Sequence, residues 1–295
     1  MGLNFNDVKF LLWAKKRGVD FTKVMTIGRQ RLYLNVSSMQ AVFSTFGINE
    51  SKERLEAIFS DQKGYAEPFF QLLGARETSS IDASSYEGAS NVLDMNQPIE
   101  ESLKGRFTVV LDGGSLEHVF NFPIAIRNCM EMVQCNGHFI GIVPCNNYMG
   151  HGFYQFSPEL FFRIFTEQNG FKMEKMILYE TSPMARWYQV CDPQEIGKRV
   201  EVRTRRSALL IIQARRVVVK PLFTTIPQQS DYAAMWQGFK ADGQTGTNIP
   251  QRSVAARIRM NLPLVLKNAY WNLKKWTQPR INSEAFKEIR IPESK

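Results

Sequence analysis

Between Thr22 and Val219 the chain repeats one pattern, a short apolar run followed by a stretch with helical spacing. The runs are TKVMTIG (22–28), ETSSIDAS (77–84), SNVLDM (90–95), FTVVLDGG (107–114), GHFIGIVP (137–144), FKMEKMILYE (171–180) and SALLIIQARRVVV (207–219). Several are unbroken rather than alternating, as expected of strands covered on both faces. Helix candidates lie between them. YAEPFFQLLG (65–74) closes on Gly74, and residues 121–135 place Ile126, Met130 and Val133 on one face. SPELFFRIFTEQNG (157–170) has Ser157 as N-cap, Pro158 and Glu159 in the first turn and Gly170 as stop. The alternation predicts an α/β fold built on a mostly parallel sheet.

Composition narrows the class further. With 44% hydrophobic and 22% charged residues in 295, disordered, collagen-like and coiled-coil readings are excluded. The four cysteines (129, 135, 145 and 191) contain no C-x-x-C pair, and the three histidines have no metal-ligand spacing, so no metal site is expected. The net charge of +9 is unevenly spread. Residues 1–196 carry 18 Lys/Arg against 22 Asp/Glu, a balance of −4, whereas residues 197–295 carry 19 against 6, a balance of +13. A Rossmann-like domain over 1–220 and a basic, partly helical extension over 221–295 are therefore expected. The N-terminal apolar stretch FLLWA is too short for a signal sequence, Asn6 breaks the myristoylation pattern, and no apolar run reaches membrane-spanning length. A cytoplasmic location is the expectation.

Ligands on such sheets bind beyond the carboxyl ends of the strands. Read in order, those ends carry Gly28, Asp82, Asp94, Asp112 and Pro144. A carboxylate at the second end suits both hydroxyls of a ribose. Asp94-Met95-Asn96 at the third suits the edge and face of an adenine. Asp after a strand is also a common turn former, so the pattern over consecutive ends counts for more than any one residue.

These residues carry a resemblance. Through SIDASSYEGASNVLDMNQPI, VVLDGGSLEHVFNFP and GHGFYQFSPELFFR, the chain resembles class I S-adenosylmethionine-dependent methyltransferases, in particular a bacterial group of methyltransferase-domain proteins. The similarity spans about residues 22–217. It implies a seven-stranded sheet, mostly parallel with an antiparallel last strand, and S-adenosylmethionine as cofactor. It makes Gly28 the remnant of the cofactor loop, Asp82 the ribose acid, and Asp94 and Met95 the adenine contacts. The segment from Asp112 to Glu117, with Gly113 and Ser115, would pass beneath the methyl donor. One departure stands out: the first strand runs into GRQRLYLN instead of a Gly-rich loop. An insertion over about 35–63 follows, with helix-like VSSMQAVFSTF and ESKERLEAIFSD, and Gly64 would restore close backbone approach before the next helix. The missing glycines also leave open a non-catalytic, methyltransferase-like interaction protein. A dehydrogenase needs G-x-G-x-x-G after a strand, which is absent, as are P-loop and nucleophile-elbow motifs.

Methyl transfer from a sulfonium needs alignment and, for an oxygen or nitrogen acceptor, a place for the proton. His138 falls inside the fifth strand and reads as structural. His118, in GGSLEHV, and His151, in the loop NNYMGHGFYQF, are the candidate catalytic residues. Glu117 would orient His118, close on the cofactor, or serve only as a solvated helix-start acid. Tyr148 and Tyr154 are candidate substrate contacts, the nearby phenylalanines packing residues. The expected acceptor is a small polar molecule or glycan. In the extension, Leu266, Ala269, Tyr270 and Leu273 form one apolar face after Pro263, beside Lys267, Lys274 and Lys275. Such a segment suits docking on a partner or a second copy first and peripheral membrane contact second, with nucleic acid the poorest match.

Overall fold

The protein is described by a computed structural model over residues 2–60, 64–241, 263, 266 and 283–291. The N-terminal part comprises β1 (Gly2–Leu3), α1 (Phe5–Lys16), β2 (Lys23–Ile27), β3 (Arg31–Leu32), α2 (Val36–Thr45), α3 (Lys52–Ser60) and α4 (Glu67–Leu72). Then follow β4 (Glu77–Asp82), β5 (Asn91–Val92), β6 (Phe107–Asp112), α5 (Phe122–Met132), β7 (Val133–Asn146), α6 (Pro158–Ile164), β8 (Phe171–Glu180), β9 (Trp187–Val190) and α7 (Pro193–Ile196). β10 (Ala208–Arg216), α8 (Ser230–Ala241) and β11 (Phe286–Ile289) complete the described elements.

The main sheet is ordered β5-β4-β2-β6-β7-β10-β8-β9-β11. Its first five strands are mutually parallel, and β10 runs antiparallel to both β7 and β8. The seven strands from β5 to β8 are the mostly parallel sheet with a reversed last strand that the sequence predicts. The sheet is wider than expected, however, with nine strands rather than seven. β9 pairs with β8, and β11, from the end of the basic extension, pairs with β9. Ala285 and Phe286 are buried there, so apolar burial anchors the far end of the extension to the sheet edge.

The unbroken apolar runs have a direct cause. Along β6, Val110 packs into the core on one face, while Val109 and Leu111 pack into the core on the other. β7 does the same with Phe139 and Val143 against Ile140 and Ile142. One face is covered by α5 and α6 through Ala125, Ile126, Cys129 and Phe161. The other is covered by α1, by the inserted α2 and α3, and by α4, through Phe10, Leu11, Met39, Leu55 and Phe69. Each such Leu, Ile, Val or Phe contributes about 1.5–3 kcal/mol of burial, so both faces resist substitution.

α1 begins at a capping box. Asn4 Oδ1 accepts the Asn6 and Asp7 amides while Asp7 Oδ2 accepts the Asn4 amide. Lys15 and Lys16 sit in its last turn, favourably placed against the helix dipole. Asn6 then donates to the Ser182 carbonyl and accepts from Trp187 Nε1, which clamps the N-terminal segment over the β8–β9 edge.

β2 connects through the insertion to β4 on one side, and the chain later returns to β6 on the other. The crevice between β2 and β6 is therefore the topological switch point, where open α/β sheets place ligands. Of the apolar face expected after Pro263, only Leu266 belongs to the described residues, where it is exposed; Ala269, Tyr270 and Leu273 lie outside them. No helix among the described residues is long and apolar enough to cross a membrane.

Candidate functional site

Two cavities open at the carboxyl ends of the parallel strands, one on each side of the loop that follows β6. The first, of about 360 Å³, is bounded by Ile27 and Gly28 at the end of β2, Asp82 at the end of β4, Asp94, Met95 and Asn96 after β5, and Ser115 and His118. Five of the residues that the sequence assigns to cofactor binding thus surround one space: Gly28, Asp82, Asp94, Met95 and Ser115. Asp82 keeps one carboxylate oxygen on the Ser84 amide. Asp94 is held below the usual carboxylate range by the Asn96 amide and then by its side chain. Asn96 Oδ1 in turn accepts the Asn121 amide, tying this rim to the start of α5. Ser115 donates its hydroxyl to the Ile27 carbonyl, binding the loop after β6 to the end of β2.

Three predicted cofactor residues fall elsewhere. Asp112 is 0% exposed and lines neither cavity. Its Oδ1 accepts the Ser115 and Leu116 amides, so it closes the turn after β6 from below instead of facing a ligand. Gly113 lines the second cavity. Gly64 lies in neither lining: its carbonyl accepts the Leu32 amide and so fixes β3, and α4 starts three residues later at Glu67.

The departure from a Gly-rich loop has a structural replacement. Gln30, only 2% exposed, folds its side chain back under the loop, and Nε2 donates to the carbonyls of Ile27 and Gly28. A Cβ on Gly113 would stand 2.3 Å from Gln30 Oε1. Glycine at 113 leaves room for the amide opposite it, and a larger residue there would have to push that side chain aside. The chain then leaves the crevice, because β3 pairs with β1.

The second cavity, of about 340 Å³, is lined by Asn4 and Asp7 from the start of α1, Tyr33, Gly113, Glu117, His118, Pro144, Tyr148 and His151. Both predicted catalytic histidines and Tyr148 meet here. His118 belongs to both linings, so the cavities adjoin at its ring. Glu117 is 1% exposed; its Oε1 lies 3.5 Å from His151 Nε2 and 4.0 Å from His118 Nε2. The two imidazoles stand edge to face with centroids 5.1 Å apart. Histidines 33 positions apart in sequence thus share one carboxylate, a grouping their spacing gave no sign of. Gly152 makes this possible: its φ is +79°, and a Cβ there would sit 2.8 Å from the Glu117 carbonyl, which accepts the Phe153 amide.

Tyr154 does not join them. Its hydroxyl donates to the Phe120 carbonyl at 2.6 Å, and its ring packs on Phe122 and Phe156, outside both linings. His138 has its expected structural place, buried on β7 with Nε2 3.2 Å from Glu174.

The second cavity is electrostatically unusual. Burial pushes the Glu117 carboxyl up to about 7. Burial also raises Asp7 to about 7, although the Tyr179 hydroxyl and the Asn4 amide both donate to it. Asp112, just beneath, is raised by burial and then by the charge of Glu117. Tyr148 is pushed up to about 12 by burial and then by Asp7. His118 is lowered by burial and then by His151. Two carboxyls able to exchange a proton near neutrality therefore line one cavity. Asp7 and Gln30 are the site residues that sequence reasoning missed. N-x-x-D before α1 signals a cap, not a cavity wall, and Gln30 stood out only as a non-glycine.

No protein-family model and no curated protein sequence matches the chain. Among solved structures, it is similar to a putative methyltransferase from Bacillus halodurans, at 11% identity over 72% of this chain and 99% of the other, with a TM-score of 0.40. It is also similar to the Burkholderia thailandensis 1,6-didemethyltoxoflavin N1-methyltransferase with bound S-adenosylhomocysteine, at 13% identity over 72% and 78% with a TM-score of 0.38. A third is the N-methyltransferase NodS from Bradyrhizobium japonicum, at 10% identity over 72% and 94% with a TM-score of 0.39. The strand order described above speaks for itself: parallel strands on both sides of β2, then a reversed last strand inserted beside its predecessor. This is a Rossmann-like α/β fold.

Proposed function

We propose that the chain is an S-adenosylmethionine-dependent methyltransferase acting on a small polar or glycan acceptor. The observation that carries this reading is the pair of cavities at the switch point, adjoining at His118 and each large enough for part of a two-substrate reaction. In this assignment the first cavity takes the adenosine. Asp82 accepts hydrogen bonds from the ribose hydroxyls, Met95 flanks the adenine face, and Asp94 and Asn96 meet its edge. Gly28, Ser115 and Gly113 would hold the methionine end.

The acceptor occupies the second cavity, beside Tyr148, with its nucleophilic oxygen or nitrogen turned to the methyl group. When bound, S-adenosylmethionine would supply the methyl group from its sulfonium, which would leave as a neutral thioether. The acceptor proton is released at the cluster of Glu117, His118 and His151. Alignment supplies most of the acceleration, and proton removal adds about 10²–10⁴-fold.

Calorimetric titration with S-adenosylmethionine and S-adenosylhomocysteine tests the reading. Binding to the wild type that weakens on Asp82→Ala supports it, and no binding at millimolar ligand overturns it. One observation favours a second reading, a non-catalytic interaction protein: the Gln30 side chain occupies the position where the loop would come closest to a methionine moiety. The same titration separates the two. For the basic extension the assignment is docking on a partner or second copy. Liposome co-sedimentation with and without residues 250–295 tests the membrane alternative, which equal association by both forms would eliminate.

A further inference from the structure

We propose that Glu117, His118 and His151 form a binding site for one divalent transition-metal ion at the mouth of the second cavity. One donor atom from each of the three lies within 4.8 Å of the others, the one group of this kind among the described residues. Ions such as zinc bind imidazole nitrogen and carboxylate oxygen at about 2.0–2.2 Å, which sets neighbouring ligands roughly 3–3.5 Å apart. The Glu117–His151 pair, at 3.5 Å, already meets that spacing, and His118, at 4.0 Å from Glu117 and within 4.8 Å of both partners, would have to turn inward onto the ion. Both imidazole side chains are about half exposed, at 45% and 52%, so they are free to turn. The carboxylate that anchors them is fixed and 1% exposed.

Two independent observations point to a ligand. Glu117 Oε2 is buried and has no hydrogen-bond partner. In addition, Asp7 and Glu117 both line this cavity, yet among the described residues no lysine or arginine does. A buried carboxylate oxygen without a donor is costly, and an ion held at Oε1 with the two imidazoles would lower that cost by neutralising the carboxylate. Two nitrogens and one oxygen from three side chains leave coordination positions open, which distinguishes a reactive metal site from a closed structural one.

The existence of the site does not depend on the methyl-transfer reading, although the role of the ion does. Under that reading the ion takes a hydroxyl oxygen of the acceptor and lowers its pKa. The hydroxyl proton passes to water, the oxygen forms its bond to the methyl carbon, and the sulfonium leaves as a neutral thioether. The acceptor is then a hydroxyl compound, with neighbouring hydroxyls such as those of a sugar able to fill two open positions.

The test uses the untagged full chain, stripped with chelator and titrated calorimetrically with zinc chloride in the absence of any cofactor. One ion per chain is expected. His118→Ala, His151→Ala and Glu117→Gln should each weaken binding by at least about tenfold. His138→Gln, and Cys135→Ser at the exposed thiol, should leave it unchanged. Titration of each variant with S-adenosylhomocysteine, together with its melting temperature, shows that it is folded. Absence of zinc binding, or binding that keeps wild-type affinity in either His118→Ala or His151→Ala, overturns the proposal. Zinc binding without S-adenosylhomocysteine binding would end the methyltransferase reading and leave the metal site standing; the reverse result would do the opposite.

Discussion

The two cavities share one loop but are built by different physics. The first is an assembly of strand ends: Gly28, Asp82, Asp94 and Ser115 each end or follow a parallel strand, and the exposed Asp94 carboxylate is held below its usual range by the Asn96 amide and side chain. The second is assembled from distant pieces, namely the start of α1, the loop after β6 and the loop after β7, clamped by Tyr179 and Trp187 from the far edge. Its carboxyls are buried and titrate near neutrality. The proposed methyl transfer assigns cofactor binding to the first cavity and proton removal to the second.

Substitutions on either side can break that division. The largest expected effect is that of Glu117→Gln. It should lower kcat by about 10²–10⁴-fold, the range of a lost proton-transfer or activation function, while S-adenosylhomocysteine affinity stays within twofold or so. A parallel loss of cofactor affinity in calorimetry would show that the two cavities are not functionally separate. Asp82→Ala should do the reverse. Losing charge-assisted hydrogen bonds costs about 1.5–3 kcal/mol, hence a roughly 10–100-fold weaker cofactor complex, and unchanged affinity would remove Asp82 from the ribose.

Gly113→Ala tests the boundary between the cavities. Its new Cβ meets Gln30 Oε1, and overpacking of this kind costs about 1–3 kcal/mol in denaturant unfolding. Gln30→Ala in the same chain should recover much of that cost, and an additive double mutant would refute the coupling.

The smallest expected effect is in pH dependence. Asp7 is raised from 3.8 to about 7 in the folded chain. As pH rises from about 4 to 7, the unfolded chain releases this proton while the folded chain retains it, so stability falls through that window and levels off above it. Asp7→Asn keeps an oxygen for Tyr179 and should flatten the decline by about 2 kcal/mol between pH 5 and 7. An unchanged pH profile of unfolding would show that Asp7 is ionised in the fold.

Legibility in the sequence follows the same division. The run at 171–180 became β8 residue for residue, and the insertion became α2 and α3, because burial on both faces and local capping leave a local pattern. β9 and β11 left none that stood out; they are four-residue edge strands recruited by pairing with β8 and with each other. Gly28 and Asp82 were readable because strand ends converge in any such sheet. Tyr154 was misplaced since an aromatic near a cavity and one packed beneath its wall look alike in sequence.

The sequence alone determined the α/β class, the seven core strands, the line of strand-end residues around the first cavity and the concentration of positive charge at the C-terminal end. Those properties are encoded by residues close together in the chain. Tertiary structure alone decided that Asp7 would come to line the cavity of Glu117, that two histidines would share one buried carboxylate, and that Gln30 would fill the space over Gly113. Each depends on contacts between distant segments, and burial, which sets the chemistry of those carboxyls, exists only once the segments have packed.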